Sequence, residues 1–451
     1  MLKTTISVLI LAFCLTLTGV GQIKVAPLDI KERTLPNGLR VVSLRDTSSP
    51  TVAIHVWYDV GGKNDPQGRS GFAHMFEHMM FKSTKNMPNE KMDRLTEDVG
   101  GYNNASTHDD FTNYYETVPS NYLETLLWAE AERMQNLNVD ETNFASERDV
   151  VKEEYRQSVL ANPYGQLYEY LSSLSYLKHP YKRGVIGNLD ELNSATVKDA
   201  QEFHKLYYRP DNAVLIVVGD FDQKQFDDWT DKYLGAVTRP TSKIPRVTEK
   251  ESAWTKERRF EETAPIVPFP ATGVVYLAPP SNSSDMPALQ LAEVILSGGE
   301  SSRLNESLVR TQQISQDASF NVDVKLDGGL LFFLGIASEG HNSAEMEKAW
   351  YAELKKMQDA PVSAKELEKA KNQLITRTLR RRENSDGRAI AIENAIAYQG
   401  DPKAVNKDIA ELNAVTAADI QRVMKKYFND NNRVVIFYNQ AEKAEVKTNE
   451  K

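Results

Sequence analysis

The sequence has almost no cysteine: Cys14 is the only one in 451 residues, and it lies in the N-terminal leader stretch. The rest of the chain therefore has no thiol nucleophile, no thiolate metal site and no disulfide framework, and its core alone must stabilise it. Excess positive charge is also missing. The 54 Lys and Arg are outnumbered by 63 Asp and Glu, for a net charge of −9. Such a chain has no basic stripe to follow phosphates, so nucleic acid is not an expected partner. Nor does it offer a run long enough for a comfortable membrane span, since the apolar stretch from Ile6 to Leu17 is too short. Lys3 before that stretch and Gly19-Val20-Gly21 after it give the pattern of a signal peptide over residues 1–21, cut after about Gly21. The expectation is an exported protein, most simply periplasmic, with no stable membrane span once the signal is removed.

What remains has an ordinary globular composition, 41% hydrophobic and 26% charged. At roughly 100–200 residues per domain, the length calls for two to four domains. An internal repeat with an offset of 220 residues narrows this to two. Glu191-Leu192-Asn193 and Thr196 return as Glu411-Leu412-Asn413 and Thr416, and 11 of the 28 positions from 191 to 218 are identical to their partners. In each copy the threonine is an N-cap candidate for an amphipathic helix, followed by a polar turn and a β-branched run. A long unit present twice indicates two homologous domains rather than a solenoid. The expected division is residues 22–240, a linker over 241–264 rich in proline and charge, and residues 265–451.

Residues 35–38 read as a turn into a strand over Leu39–Leu44. Val52, Ile54, Val56 and Tyr58 alternate as in a half-buried strand, and strands return near 103–118. The fold class is α+β, each domain a largely antiparallel sheet with helices packed on one face.

The chemistry concentrates in Ser70–Phe81. On a helix, His74 and His78 share one face with Glu77 beside them. Two imidazoles one turn apart can hold a zinc ion, and a neighbouring carboxylate that is not a ligand can take a proton from water at the metal. The order is His-x-x-Glu-His, the inverse of the commoner zinc-peptidase motif. Phe72, Met75, Phe76, Met79, Met80 and Phe81 make this helix apolar over most of its circumference, so it should be buried, where polar groups need partners. A third ligand is expected in Glu147–Tyr155. There Glu147, Val151 and Glu154 fall on one helical face and Glu153 turns away. One glutamate would bind metal and the other orient a ligating histidine; spacing alone leaves open which does which.

Together these residues resemble the pitrilysin/insulinase group of zinc metallopeptidases, the inverzincins, in their bacterial processing-peptidase-like branch. The resemblance spans essentially the whole mature chain. In that group a glutamate follows His-x-x-Glu-His by about 75 residues, with another glutamate seven positions before it. The match implies metal ligands His74, His78 and Glu154 for one Zn2+ per chain, Glu77 as catalytic base and Glu147 as supporting carboxylate. It also implies that the strand containing Asn104, Ala105, Ser106 and Thr107 binds the peptide substrate through its main chain. The C-terminal domain would lack zinc ligands. Relatives often carry an Arg and a Tyr on second-domain strands that help bind the substrate carbonyl; the comparable stretch here, Ala318–Phe333, has neither. The expected activity is that of a zinc endopeptidase working as a homodimer or as a heterodimer with a similar chain. The alternative is a non-catalytic structural or peptide-binding subunit of a heteromeric peptidase complex. Ser297–Arg303 resembles a phosphate loop but lacks its Gly-Lys-Ser/Thr ending, and reads as a structural turn.

Overall fold

The computed structural model describes residues 25–441. The leader with Cys14 therefore lies outside the described residues. No helix among those described is long and apolar enough to cross a membrane.

Six strands form the first sheet: β1 (Lys31–Thr34), β2 (Arg40–Arg45), β3 (Thr51–Tyr58), β4 (Tyr102–Thr107), β5 (Thr112–Pro119) and β6 (Ala213–Gly219), in the order β1-β2-β6-β3-β5-β4. Among the described residues eight α-helices accompany it: α1 (Phe72–Met79), α2 (Lys91–Glu97), α3 (Leu123–Asn136), α4 (Glu141–Tyr155), α5 (Gly165–Ser173), α6 (Leu189–Ser194), α7 (Val197–Tyr207) and α8 (Gln223–Tyr233). The second sheet has five strands, β7 (Arg258–Ala264), β8 (Ala271–Leu277), β9 (Ser315–Asp323), β10 (Leu330–Ala337) and β11 (Arg433–Gln440), in the order β7-β11-β8-β10-β9. Its helices are α9 (Met286–Ser297), α10 (Ser343–Asp359), α11 (Ala364–Arg381), α12 (Ser385–Gln399), α13 (Asp408–Ala414) and α14 (Ala417–Tyr427).

Apart from β1, the two sheets have one topology. Each has a single parallel pair, β2 with β6 and β7 with β11, and is otherwise antiparallel. The repeat read from the sequence corresponds to α6-α7-β6 and α13-α14-β11. Thr196 and Thr416 cap α7 and α14, each closing a capping box with an aspartate three residues on.

One face of each sheet carries its own helices. In the first half Ile54, Val56, Phe72, Phe76, Leu126 and Phe203 share one buried core. In the second, Trp350 stacks between Phe320 and Phe333, with ring centroids 5.6 and 5.1 Å away. The expectation of helices on one face only is corrected by the other faces, because each half lends a helix to its neighbour. Ala389, Ile392 and Ile396 of α12 cover Val42, Ala53, Trp57 and Ile216 of the first sheet. Leu167 and Leu171 of α5 cover Val275, Leu334 and Ile436 of the second. β3 is consequently buried on both faces rather than half-buried. Its His55, fully buried, meets Glu393 Oε2 at 3.0 Å and Asp386 Oδ1 at 3.2 Å, both on α12.

A polar seam adds to the contact between the halves. Asp110 accepts hydrogen bonds from Lys63 Nζ (2.7 Å), the Tyr181 hydroxyl (2.5 Å) and the Leu326 amide (2.9 Å). Lys325 bridges Asp109 and Asp323. The expected linker over 241–264 also needs correction: its last seven residues form β7, an edge strand whose side chains are mostly polar.

Candidate active site

α1 begins where Asp65 substitutes for a capping residue. Its buried carboxylate accepts the amides of Gly71 (2.6 Å) and Ala73 (2.9 Å). Gly71 itself has φ +89, and a Cβ there would meet the Ile186 carbonyl oxygen at 2.9 Å, so only glycine fits. Burial pushes the Asp65 carboxyl up to about 7, against the amide hydrogen bonds that favour its charged form. Phe72 and Phe76 then pack on Phe203 of α7 at 5.8 and 5.4 Å, which fixes the rotation of α1 and leaves His74 and His78 beside α4.

Opposite them, α4 buries Phe144, Glu147 and Val151 while Glu153 is exposed, so Glu154 points toward the histidines. His74 Nε2 lies 3.5 Å and His78 Nε2 3.4 Å from Glu154 Oε2, and the two rings stand edge to face at 5.0 Å. One ligand-type atom from each of these residues falls within 4.8 Å of the other two, the only such cluster among the described residues. Glu147 sits behind it, with Oε2 3.7 Å from His78 Nδ1 and Oε1 2.7 Å from Lys82 Nζ.

The charges follow from these neighbours. Burial pushes His74 down to about 4. Burial also disfavours charge on His78, but Glu147 and Glu154 outweigh it and raise His78 to about 9. Burial alone would raise Glu147; pairing with His78 and Lys82 holds it at about 2. Pairing with His78 likewise lowers Glu154. Glu147 and Glu154 thus place negative charge beside His78, which stabilises positive charge at that point.

Glu77 lies one step around α1, and its Oε2 accepts a 2.6 Å hydrogen bond from Thr107 Oγ1. Burial pushes its carboxyl up, opposed by that bond. Thr107 ends β4, the edge strand of the first sheet, which pairs only with β5 among the described residues. The strand's side chains are largely engaged within the chain. Asn104 Oδ1 accepts the Ala105 amide (2.8 Å), Ala105 is buried, and Ser106 Oγ donates to Asn113 Oδ1 (2.5 Å). What β4 offers a partner is its outer main-chain edge.

The structure therefore brings together His74, His78, Glu77, Glu147 and Glu154, with Thr107 joining them through Glu77. Sequence reasoning missed Asp65 as the cap of α1, Lys82 as the partner of Glu147, and the Thr107 bond to Glu77. Lys82 left a readable signal, four residues beyond His78 on the same side. The other two depend on chain reversals that no local spacing encodes.

Comparison with known proteins identifies the family. Residues 40–188 match the profile of Insulinase (Peptidase family M16), and residues 194–374 match that of the Peptidase M16 inactive domain. The zinc protease PqqE of Helicobacter pylori is 31% identical over 408 residues, covering 90% of this chain and 91% of that protein. A probable mitochondrial-processing peptidase subunit beta of Arabidopsis thaliana is 25% identical, covering 88% and 76% of the two chains. The crystal structure of a protease from Helicobacter pylori superposes with a TM-score of 0.87 at 29% identity, covering 91% of this chain and 99% of that one. With two family profiles in tandem and one relative matched almost end to end, the chain belongs to peptidase family M16.

Proposed function

We propose that the chain is an exported zinc endopeptidase that hydrolyses peptides or unfolded segments. The observation that carries this reading is the convergence of His74, His78 and Glu154 beside a glutamate tethered to an open edge strand. The residues fit the metal. Four-coordinate zinc with bonds of about 2.1 Å separates neighbouring ligand atoms by roughly 3.4 Å, and the two histidine nitrogens stand 3.5 and 3.4 Å from Glu154 Oε2. The buried Nδ1 of His74 has no hydrogen-bond partner among the described residues, and the ring is placed by packing. Zinc bound there would supply a Lewis acid that polarises water and the scissile carbonyl.

The rest of the reaction belongs to the chain's own residues. Glu77 accepts the proton of the attacking water and returns it to the leaving amine. Thr107 holds one oxygen of Glu77, leaving the other to meet the water. Glu147 orients His78, and Lys82 keeps Glu147 charged. The β4 edge aligns an extended peptide by main-chain pairing, which selects for unfolded segments more than for side-chain sequence. Catalysis belongs to residues 22–240, with a connection near 241–257, while the second half lacks zinc ligands. Residues 1–21 direct export to the periplasm.

The absence of an Arg and a Tyr from Ala318–Phe333 favours assembly with a second, similar chain that completes the site. It also keeps a second reading in play, a peptide-binding subunit without turnover. One experiment separates the two: zinc analysis of the purified chain alongside a quenched-peptide assay, with and without chelator. The peptidase reading expects one zinc per chain and chelator-sensitive cleavage. Zinc with tight peptide binding and no products would support the subunit reading.

A further inference from the structure

Because the two sheets share one topology apart from β1, the elements around the first-half site have counterparts in the second. β8, α9, β9 and β10 repeat β3, α1, β4 and β5, while α11 repeats α4. α11 packs on α9 as α4 packs on α1. The cleft that gathers two histidines and two glutamates in the first half therefore has a structural equivalent, and its chemistry is reversed. Between α9 and α11 lies an open groove of about 1020 Å³, lined by Lys365, Lys369, Arg377, Arg380 and Arg381, with Glu368 as its lining acid.

All five cations are exposed. Lys369 donates to the Ser301 hydroxyl at 2.6 Å. Lys365, Arg377, Arg380 and Arg381 make no side-chain hydrogen bond or ion pair among the described residues, whereas other arginines of this half, Arg259, Arg303 and Arg382, are each matched to a carboxylate. Five cations against one acid in a chain of net charge −9 is a local inversion that folding does not require, because side chains on this exposed face stabilise little.

The shape narrows the ligand. From Lys365 to Arg381 the helix rises about 24 Å at about 1.5 Å per residue, a length matched by about seven residues of extended peptide at about 3.3 Å each. No aromatic side chain lines the groove, so nothing is placed to stack on a base. At its end Gly299 is exposed, and a Cβ there would meet nothing within 4 Å.

We propose that the α9–α11 groove, the second half's counterpart of the α1–α4 cleft, is a docking site for an extended acidic peptide segment, held by Lys365, Lys369, Arg377, Arg380 and Arg381. Its carboxylates would pair with the guanidinium groups, which favour bidentate contacts, although the Arg377 charge is already partly offset by Glu293 of α9. A peptide with an acidic stretch would then be held by this half independently of the site that cuts it.

The test uses the full chain carrying Glu77→Gln, so that no probe is consumed and the outcome is independent of turnover. Binding of fluorescein-labelled decaglutamate is followed by anisotropy, with a labelled Gly-Ser decapeptide as neutral control. The expected result is decaglutamate binding that weakens at least tenfold in Lys369→Ala/Arg377→Ala/Arg381→Ala and also weakens with added salt. Replacing three exposed lysines elsewhere, Lys224, Lys232 and Lys355, by Ala should change it less than twofold. The double variant Arg377→Gln/Arg381→Gln, at exposed positions of α11, serves if the triple variant does not fold. The proposal is overturned if the groove variants bind decaglutamate as the unaltered groove does, or if the Gly-Ser peptide binds equally well. Oligouridine or inorganic phosphate competing as strongly as unlabelled decaglutamate would also overturn it, because the groove would then read charge alone.

Discussion

Replacing Thr107 by Val removes one hydroxyl and little else. Val keeps the β-branched shape that suits β4, and the Thr107 main chain still pairs with Thr112 on β5. What is lost is the 2.6 Å hydrogen bond to Glu77 Oε2. A hydrogen bond to a charged group is worth about 1.5–3 kcal/mol. Both partners are only partly buried, so the lower end of that range applies. At about 1.4 kcal/mol per factor of ten, a Glu77 carboxylate left free to rotate should lower kcat about tenfold to thirtyfold. KM should change less than threefold, because the β4 edge is unchanged, and zinc content should not change. Thr107→Ser restores the hydroxyl and should return kcat to within about threefold of the unaltered chain. The assay is steady-state cleavage of a quenched peptide by zinc-loaded protein, with kcat and KM resolved separately. A Thr107→Val enzyme with kcat within twofold of the starting protein would refute the positioning argument, as would a rise in KM alone.

Glu147→Ala should weaken zinc retention by about 10–100-fold, since His78 loses the carboxylate that orients it; competition with a chromophoric chelator measures this. Asp65 gives a pH signature. Its carboxyl titrates near 7 in the folded chain and near 4 unfolded, so between those values the folded state holds a proton the unfolded state has lost. Stability should therefore fall as pH rises from about 4 to 7, by up to about 1.4 kcal/mol per unit, and level off above. Asp65→Asn should flatten that slope, read from urea midpoints at pH 5, 6, 7 and 8; an unchanged slope would contradict the assignment. Trp350→Ala should cost the second half about 3–5 kcal/mol by emptying the slot between Phe320 and Phe333, measured by chemical denaturation.

Much of this molecule was legible in its sequence because the informative signals are local. His74, Glu77 and His78 share one helical turn, Glu147 and Glu154 share one helix face, and the 220-residue repeat marks the α6-α7-β6 unit. The fold class and the cluster at the site follow from such spacings. Less visible was anything set by distant packing. Ala53, His55 and Trp57 alternate with the core residues of β3 and read as a solvent face, being small, polar and amphipathic. α12 covers them, and Glu393 reaches His55 from 338 positions away. The periodicity of Ala389, Ile392 and Ile396 shows that α12 buries a face but not which sheet receives it. β7 read as linker because an edge strand is charged for the reason a linker is: both must resist unwanted pairing and collapse. Thr107 was expected to act on substrate through its strand, and the structure adds its hydroxyl to the grip on Glu77.

The account turns on Glu77 acting as the base beside a metal it does not bind. The measurement that tests it most directly is the turnover of purified Glu77→Gln protein shown by metal analysis to retain one zinc per chain. The account predicts zinc retained and cleavage lowered by several orders of magnitude relative to the unaltered chain. Near-normal turnover in that variant would contradict it.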